Sequence, residues 1–175
     1  MTTDSDAEFT VLVHRQTRFV FRVAYAVLLN SHDAEDAVQE TFLKLYRNRG
    51  WQRAENERAF LARVAWRVAV DLRPRSIRQS VLHPKPTDAD EMQSTRPGPE
   101  QNLLLANQEA NVHSMIDALP EELRVPLVLS AFDELNSREI GSILGIPEGT
   151  VRTRLQRGRE MLRQKLVSVG ETRHA

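Results

Sequence analysis

The sequence predicts an all-α protein of two small helical domains joined by a flexible linker. Apolar residues recur at three- and four-residue spacing along the structured stretches, which is the period of one helix face, and no stretch shows strand-like alternation. The segment HPKPTDADEMQSTRPGPE, residues 83 to 100, holds four prolines, one glycine and mostly small polar side chains, so it has no core of its own. The flanking units, each about 70 to 80 residues, are small for a domain. The expected division is 1–80, a linker over 81–105, and 106–170.

The elements follow in order. Phe9, Leu12, Val13, Val20, Val23 and Val27 mark a first helix from about Ala7 to Leu29. A second runs from about Asp33, a residue type that caps helix N-termini, to Arg47. A third begins near Glu57 and is expected to stop near Pro74, because proline lacks the N–H that continues a helix. The second unit shows helical periodicity over Leu103–Leu119, Glu121–Phe132, Ser137–Leu144 and Glu148–Leu166.

Composition excludes several function classes. The chain has no cysteine, which rules out disulfides, thiolate metal sites and a cysteine nucleophile. His14, His32, His83, His113 and His174 are scattered without metal-ligand spacing, and no glycine-rich phosphate loop is present; no catalytic role, cofactor or metal is expected. The acidic N-terminus MTTDSDAEF does not read as a secretory signal, and no apolar run approaches the roughly 18 residues of a membrane span. A cytoplasmic protein without membrane insertion is expected.

Lysine plus arginine and aspartate plus glutamate each number 24, yet the charges are segregated. Arg58, Arg63, Arg67, Arg73, Arg75 and Arg78 meet one intervening acid, Asp71. A second basic run spans Arg138 to Lys165, and the stretch between the two is acidic. Two basic helices point to a polyanionic partner more strongly than one would.

LNSREIGSILGIPEGTVRTRLQRGREML reads as two short helices around a tight turn. Asn136 and Glu139 form a capping-box pair, Gly145 terminates the first helix, and Pro147 stands where a second helix begins. At about 100° per residue, Val151, Leu155, Gly158 and Leu162 share one face. Arg152, Thr153, Gln156 and Arg157 spread over the opposite side, with Arg154 flanking. Arginine reads guanine and glutamine reads adenine in a major groove, while Gly149 and Thr150 let backbone N–H groups approach a phosphate. The simpler alternative is a solvated amphipathic helix in a helical hairpin.

In DAEDAVQETFLKLYR, Ala34, Val38, Thr41, Phe42 and Leu45 face inward, while Asp36, Gln39, Glu40 and Leu43 form an acidic stripe with one exposed leucine. Such a stripe suits a basic protein partner, or is plain solvated surface. In the third helix Leu61, Val64, Ala65, Val68 and Leu72 form the core side. Arg63, Arg67 and Arg73 lie opposite with Trp66 among them and Phe60 at the edge. Arginine interleaved with an outward aromatic suits single-stranded DNA, although a lone tryptophan more often packs on a neighbouring helix. The loop NRGWQRAEN carries Trp51, which either helps present a pocket for an extruded base or caps the bundle.

Across nearly the whole chain these residues resemble an extracytoplasmic-function (ECF, group 4) bacterial sigma factor. LPEELRVPLVLSAFDELNSREIGSILGIPEGTVRTRLQRGREMLRQKL resembles sigma region 4, DAEDAVQETFLKLYR resembles region 2.2, and AFLARVAWRVAVDLR resembles regions 2.3 and 2.4. Phe60 stands where the family commonly has tryptophan, Arg67 replaces a frequent asparagine, and Pro74 breaks the usual basic run. The resemblance implies a non-enzymatic factor that binds core RNA polymerase and directs promoter-specific initiation. Asp33, Asp36, Gln39, Glu40 and Leu43 would meet the β′ clamp helices. Asn48, Trp51, Asn56, Phe60, Arg63, Trp66, Arg67 and Arg73 would serve the −10 element. Gly149, Thr150, Arg152, Thr153, Arg154, Gln156 and Arg157 would serve the −35 element, with region 4 also on the β flap. It further implies an anti-sigma partner. The rival expectation is a stand-alone dimeric helix-turn-helix regulator on a palindrome.

Overall fold

A computed structural model describes residues 2–82, 110–131 and 135–172. The expected linker over 81–105 lies outside these residues apart from its first two positions. The elements are α1 (Thr2–Leu28), α2 (Ser31–Asn48), a 3-10 turn (Gly50–Arg53), α3 (Glu57–Leu82), α4 (110–117), α5 (Glu121–Ser130), α6 (Ser137–Leu144) and α7 (Glu148–Thr172). Every described element is helical, as expected.

The first three helices pack pairwise on one another. Leu12, Phe19, Val20, Val23 and Val27 of α1 are buried, so the periodic stripe faces inward. Ala34, Ala37, Thr41, Phe42 and Leu45 form the buried side of α2, and Leu61, Ala62, Ala65, Val68 and Ala69 that of α3. The small residues let the helix axes approach closely.

Caps set the helix ends, and two differ from expectation. Asn30, not Asp33, caps α2; its side chain accepts the Asp33 N–H at 2.9 Å, which puts Asp33 inside the first turn. Leu29 before it and Arg49 after α2 both adopt left-handed backbone, with φ of 50° and 48°. These unusual conformations for side-chain-bearing residues produce the sharp reversals that fold α1, α2 and α3 together. The helix α3 passes through Pro74 and continues to Leu82. Proline removes one backbone bond at a cost of about 3 kcal/mol. Leu72, Arg73 and Arg75 around it are good helix formers, so the helix persists. Likewise α1 starts at Thr2 and α7 extends to Thr172, beyond the expected ends.

In the second unit α5 and α6 both pack on α7. Leu123, Val125, Pro126, Leu127 and Leu129 are buried, so α5 is the central helix of this unit. The units also touch, α1 against α5 and α3 against α6, and their buried residues belong to one continuous hydrophobic cluster. Among the described residues no helix is long and apolar enough to cross a membrane.

Candidate nucleic-acid interface

The turn between α6 and α7 is built by local chemistry. Asn136 accepts the Glu139 N–H at 3.0 Å, and the Glu139 carboxylate accepts the Asn136 N–H at 2.8 Å, completing the expected capping box. Gly145 ends α6 with φ 68°, in the left-handed region. Gly141 contributes what spacing did not reveal: a Cβ there would lie 2.7 Å from the carbonyl oxygen of Ile146. Glycine inside α6 therefore lets the turn fold back onto it. Ile140, Ile143, Val151 and Leu155 are buried and lock the two helices together.

This packing leaves a polar face on α7. Arg152, Thr153, Gln156 and Arg157 are exposed, as is Gly149 at the helix start, whereas Thr150 is half-buried. Glu148 forms an ion pair with Arg152 one turn along. The Thr153 hydroxyl donates to the Gly149 carbonyl at 3.0 Å. Arg154 turns away toward α5, where it lies 3.8 Å from Glu122. Beside the exposed face runs a groove of about 280 Å³ lined by Ser137, Arg152, Leu155, Gln156, Arg159 and Arg163. Ser137 and Arg159 thus join a surface on which sequence reasoning had put Arg159 only at the edge. Gly158 is buried against Leu123 and Leu127 at ordinary contact distance.

The candidate residues of the first unit form a second cluster. Asn56 caps α3, its side chain accepting the Ala59 N–H at 3.0 Å. Phe60 sits over Gly50, whose Cβ, if present, would lie 3.0 Å from the ring. Trp51 packs against Phe9 with ring centroids 5.9 Å apart, and its indole nitrogen is buried without a partner among the described residues. Trp66 is half-buried against the core. Asn48 and Arg67 are exposed, and Arg63 and Arg73 are partly covered.

The base of α3 is anchored by residues the sequence reading did not single out. Glu57 accepts two hydrogen bonds from Arg15, at 2.7 and 2.8 Å, and one from Gln16 at 2.7 Å. Gln16 is 3% exposed, so this contact ties the start of α3 to the interior of α1. A polar residue among the apolar positions of α1 was the signal available in the sequence.

On α2, Asp36, Gln39 and Leu43 are exposed on one face, with Leu43 49% accessible. Glu40 is half-buried, 3.8 Å from Lys44. Burial raises the Asp33 carboxyl above its ordinary value, offset in part by His32.

A helix-turn-helix with an arginine- and glutamine-bearing helix, paired with a three-helix unit carrying a basic third helix, is the architecture of a sigma-70-type initiation factor. The family Sigma-70 region 2 matches residues 12–78, and Sigma-70, region 4 matches residues 109–162. ECF RNA polymerase sigma factor SigW of Bacillus subtilis is 32% identical over 170 residues, covering 93% of this chain and 90% of that protein. ECF RNA polymerase sigma factor SigE of Mycolicibacterium smegmatis is 36% identical over 157 residues, covering 89% of this chain; the chain spans 60% of that relative's length. Among solved structures, sigma factor RpoE of Bartonella quintana in complex with the anti-sigma factor NepR has the same fold, with a TM-score of 0.65 and 20% identity, covering 93% of this chain and 98% of that one. CnrH in complex with the cytosolic domain of CnrY gives a TM-score of 0.61 at 21% identity, covering 93% and 90% of the two chains. The chain belongs to the ECF RNA polymerase sigma factors, the family of promoter-directed transcription initiation.

Proposed function

We propose that this protein joins core RNA polymerase in the cytoplasm and reads both promoter elements, with α7 on −35 and the α2–α3 edge on −10. The observation that carries the reading is the exposed Arg152, Thr153, Gln156 and Arg157 face of α7, held outward by buried Val151 and Leu155. These side chains offer the donors and acceptors that a major groove is read with. Gly149 and Thr150 place the α7 N-terminus toward the backbone phosphates, and Arg154 stabilises the helix against α5. On the first unit, Asn48, Asn56, Phe60, Arg63, Arg67 and Arg73 border the −10 edge, with Trp51 and Trp66 supporting it from the core side.

Asp33, Asp36, Gln39, Glu40 and Leu43 form the surface for the β′ clamp helices, and region 4 meets the β flap. The protein acts through binding and carries out no chemistry; strand separation is driven by capture of the unstacked strand. An anti-sigma factor is its regulatory partner, as named for the RpoE and CnrH complexes.

Run-off transcription with sigma-free core polymerase tests the reading. Promoter-dependent transcripts that require this protein are expected. No transcript, together with a footprint by the protein alone on a duplex palindrome, would overturn it.

A further inference from the structure

The two units meet through polar groups that the proposed reading assigns to DNA capture. Asn56 donates its amide N–H to Glu139 of α6 at 2.7 Å. Arg63 donates to the hydroxyl of Ser142, also on α6, at 2.9 Å. Arg73 pairs with Glu121 of α5 at 2.6 Å. Three residues along the −10 edge are thus engaged by the helix-turn-helix unit of the same chain.

Behind this edge lies the contact that holds the units together. Arg124 is 5% exposed, within the apolar helix α5. Its Nε donates to the Ala26 carbonyl oxygen of α1 at 2.7 Å, and one terminal nitrogen donates to the Leu119 and Asp117 carbonyls at 2.6 and 3.2 Å. Beside it the Tyr25 hydroxyl lies 3.4 Å from the Asp117 carboxylate. A buried guanidinium remains favourable only while its donors are matched, so separating the units removes Arg124 from the one carbonyl that α1 supplies.

This arrangement is incompatible with reading both promoter elements. The −35 and −10 elements are centred roughly 25 base pairs apart, or about 85 Å along B-DNA. Here α6, the helix that precedes the reading helix, is within hydrogen-bond distance of α3. Only one of the two elements is reachable from this state, and the −10 edge is the one covered.

We propose that the free protein holds itself in a closed state, in which α6 masks Asn56 and Arg63 and Arg124 bolts α5 to the end of α1. Core polymerase opens this state by binding surfaces that the open form presents together. The inference rests on the promoter-reading function proposed above. It adds that masking is intramolecular and precedes any protein inhibitor.

The chain has no cysteine, so Glu35→Cys on α2 and Gln164→Cys on α7, both at exposed positions, accept a donor and acceptor dye for energy transfer. The free protein is expected to show high transfer that falls when core polymerase is added. Arg124→Met should lower transfer without polymerase, moving the equilibrium roughly tenfold toward the open form, as loss of a charge-assisted buried hydrogen bond does. Ser142 is exposed, which makes it a separate probe that leaves the core intact. Ser142→Arg should open the protein by facing Arg63 with like charge, and Ser142→Glu should hold it closed. Low transfer in the free protein, transfer that stays high on polymerase, or no response to either Ser142 substitution would overturn the closed state. If transfer behaves as expected but run-off transcription fails, the closed state stands and the promoter-reading function falls.

Discussion

Arg124 donates its Nε to the carbonyl oxygen of Ala26 at 2.7 Å, joining positions 98 residues apart through a guanidinium that solvent scarcely reaches. Losing it leaves the carbonyls of Ala26, Asp117 and Leu119 without that donor. Arg124→Ala should destabilise the folded protein by about 2–4 kcal/mol, given the cost of unmatched buried polar groups. Urea unfolding followed by circular dichroism measures it; a change within experimental scatter would show that the arginine bonds contribute nothing net.

The glycines of the helix-turn-helix predict opposite signs. Gly141→Ala brings a Cβ to 2.7 Å from the Ile146 carbonyl oxygen, a backbone atom that cannot swing aside. It should cost about 1–3 kcal/mol, the usual penalty of overpacking. Gly149→Ala meets nothing within 4 Å and should stabilise α7 by about 0.5–1 kcal/mol. Thermal melts of the two variants should therefore move in opposite directions.

Arginines on α7 should separate by orientation. Arg152→Ala and Arg157→Ala should each weaken −35 duplex binding by about 1–3 kcal/mol if they contact bases. Arg154→Ala should have a smaller effect on DNA, because Arg154 faces Glu122 rather than solvent. Fluorescence anisotropy with wild-type and base-substituted duplexes at fixed salt distinguishes these outcomes. Equal losses for all three arginines would remove the distinction drawn from the geometry.

Leu43 stands exposed beside Asp36 and Gln39. Leu43→Ala should leave the melting temperature nearly unchanged, since little area is lost from the core. It should reduce affinity for core polymerase several-fold if the side chain is an interface anchor. Native gel or anisotropy titration against core polymerase reads this directly.

Asp117 sets a pH dependence. Burial pushes its carboxyl above the ordinary 3.8, against the lowering effects of the Tyr25 hydrogen bond and of Arg124 and His113. The folded state thus holds this proton more tightly than the unfolded chain does. Its contribution to stability is full below the ordinary value and is lost as pH rises through the raised folded value. Asp117→Asn should flatten this part of the stability profile, measured by urea unfolding from pH 3 upward; a steeper profile in the variant would reverse the sign.

Much of the candidate site was legible because local chemistry produces it. The Asn136–Glu139 capping box, Gly145 and the Val151–Leu155 stripe are short-range signals, and each occurs where its spacing placed it. The acidic face of α2 followed from periodicity in the same way. The helix ends were less legible, because Asn30 competes with Asp33 for the cap and Pro74 does not end α3. Propensity is a local bias that neighbouring helix formers override.

By itself, then, the sequence determined the helical class, the two-unit division around the proline-rich segment and the reading face of α7. All three depend on residues near one another in the chain. Only the tertiary structure decided that Asn56 meets Glu139, that Arg63 meets Ser142 and that Arg124 reaches Ala26. Those partners are separated by 83, 79 and 98 residues. No local period encodes such pairings; they arise when burial of the apolar faces brings α1 against α5 and α3 against α6, and the polar groups carried along must find partners there.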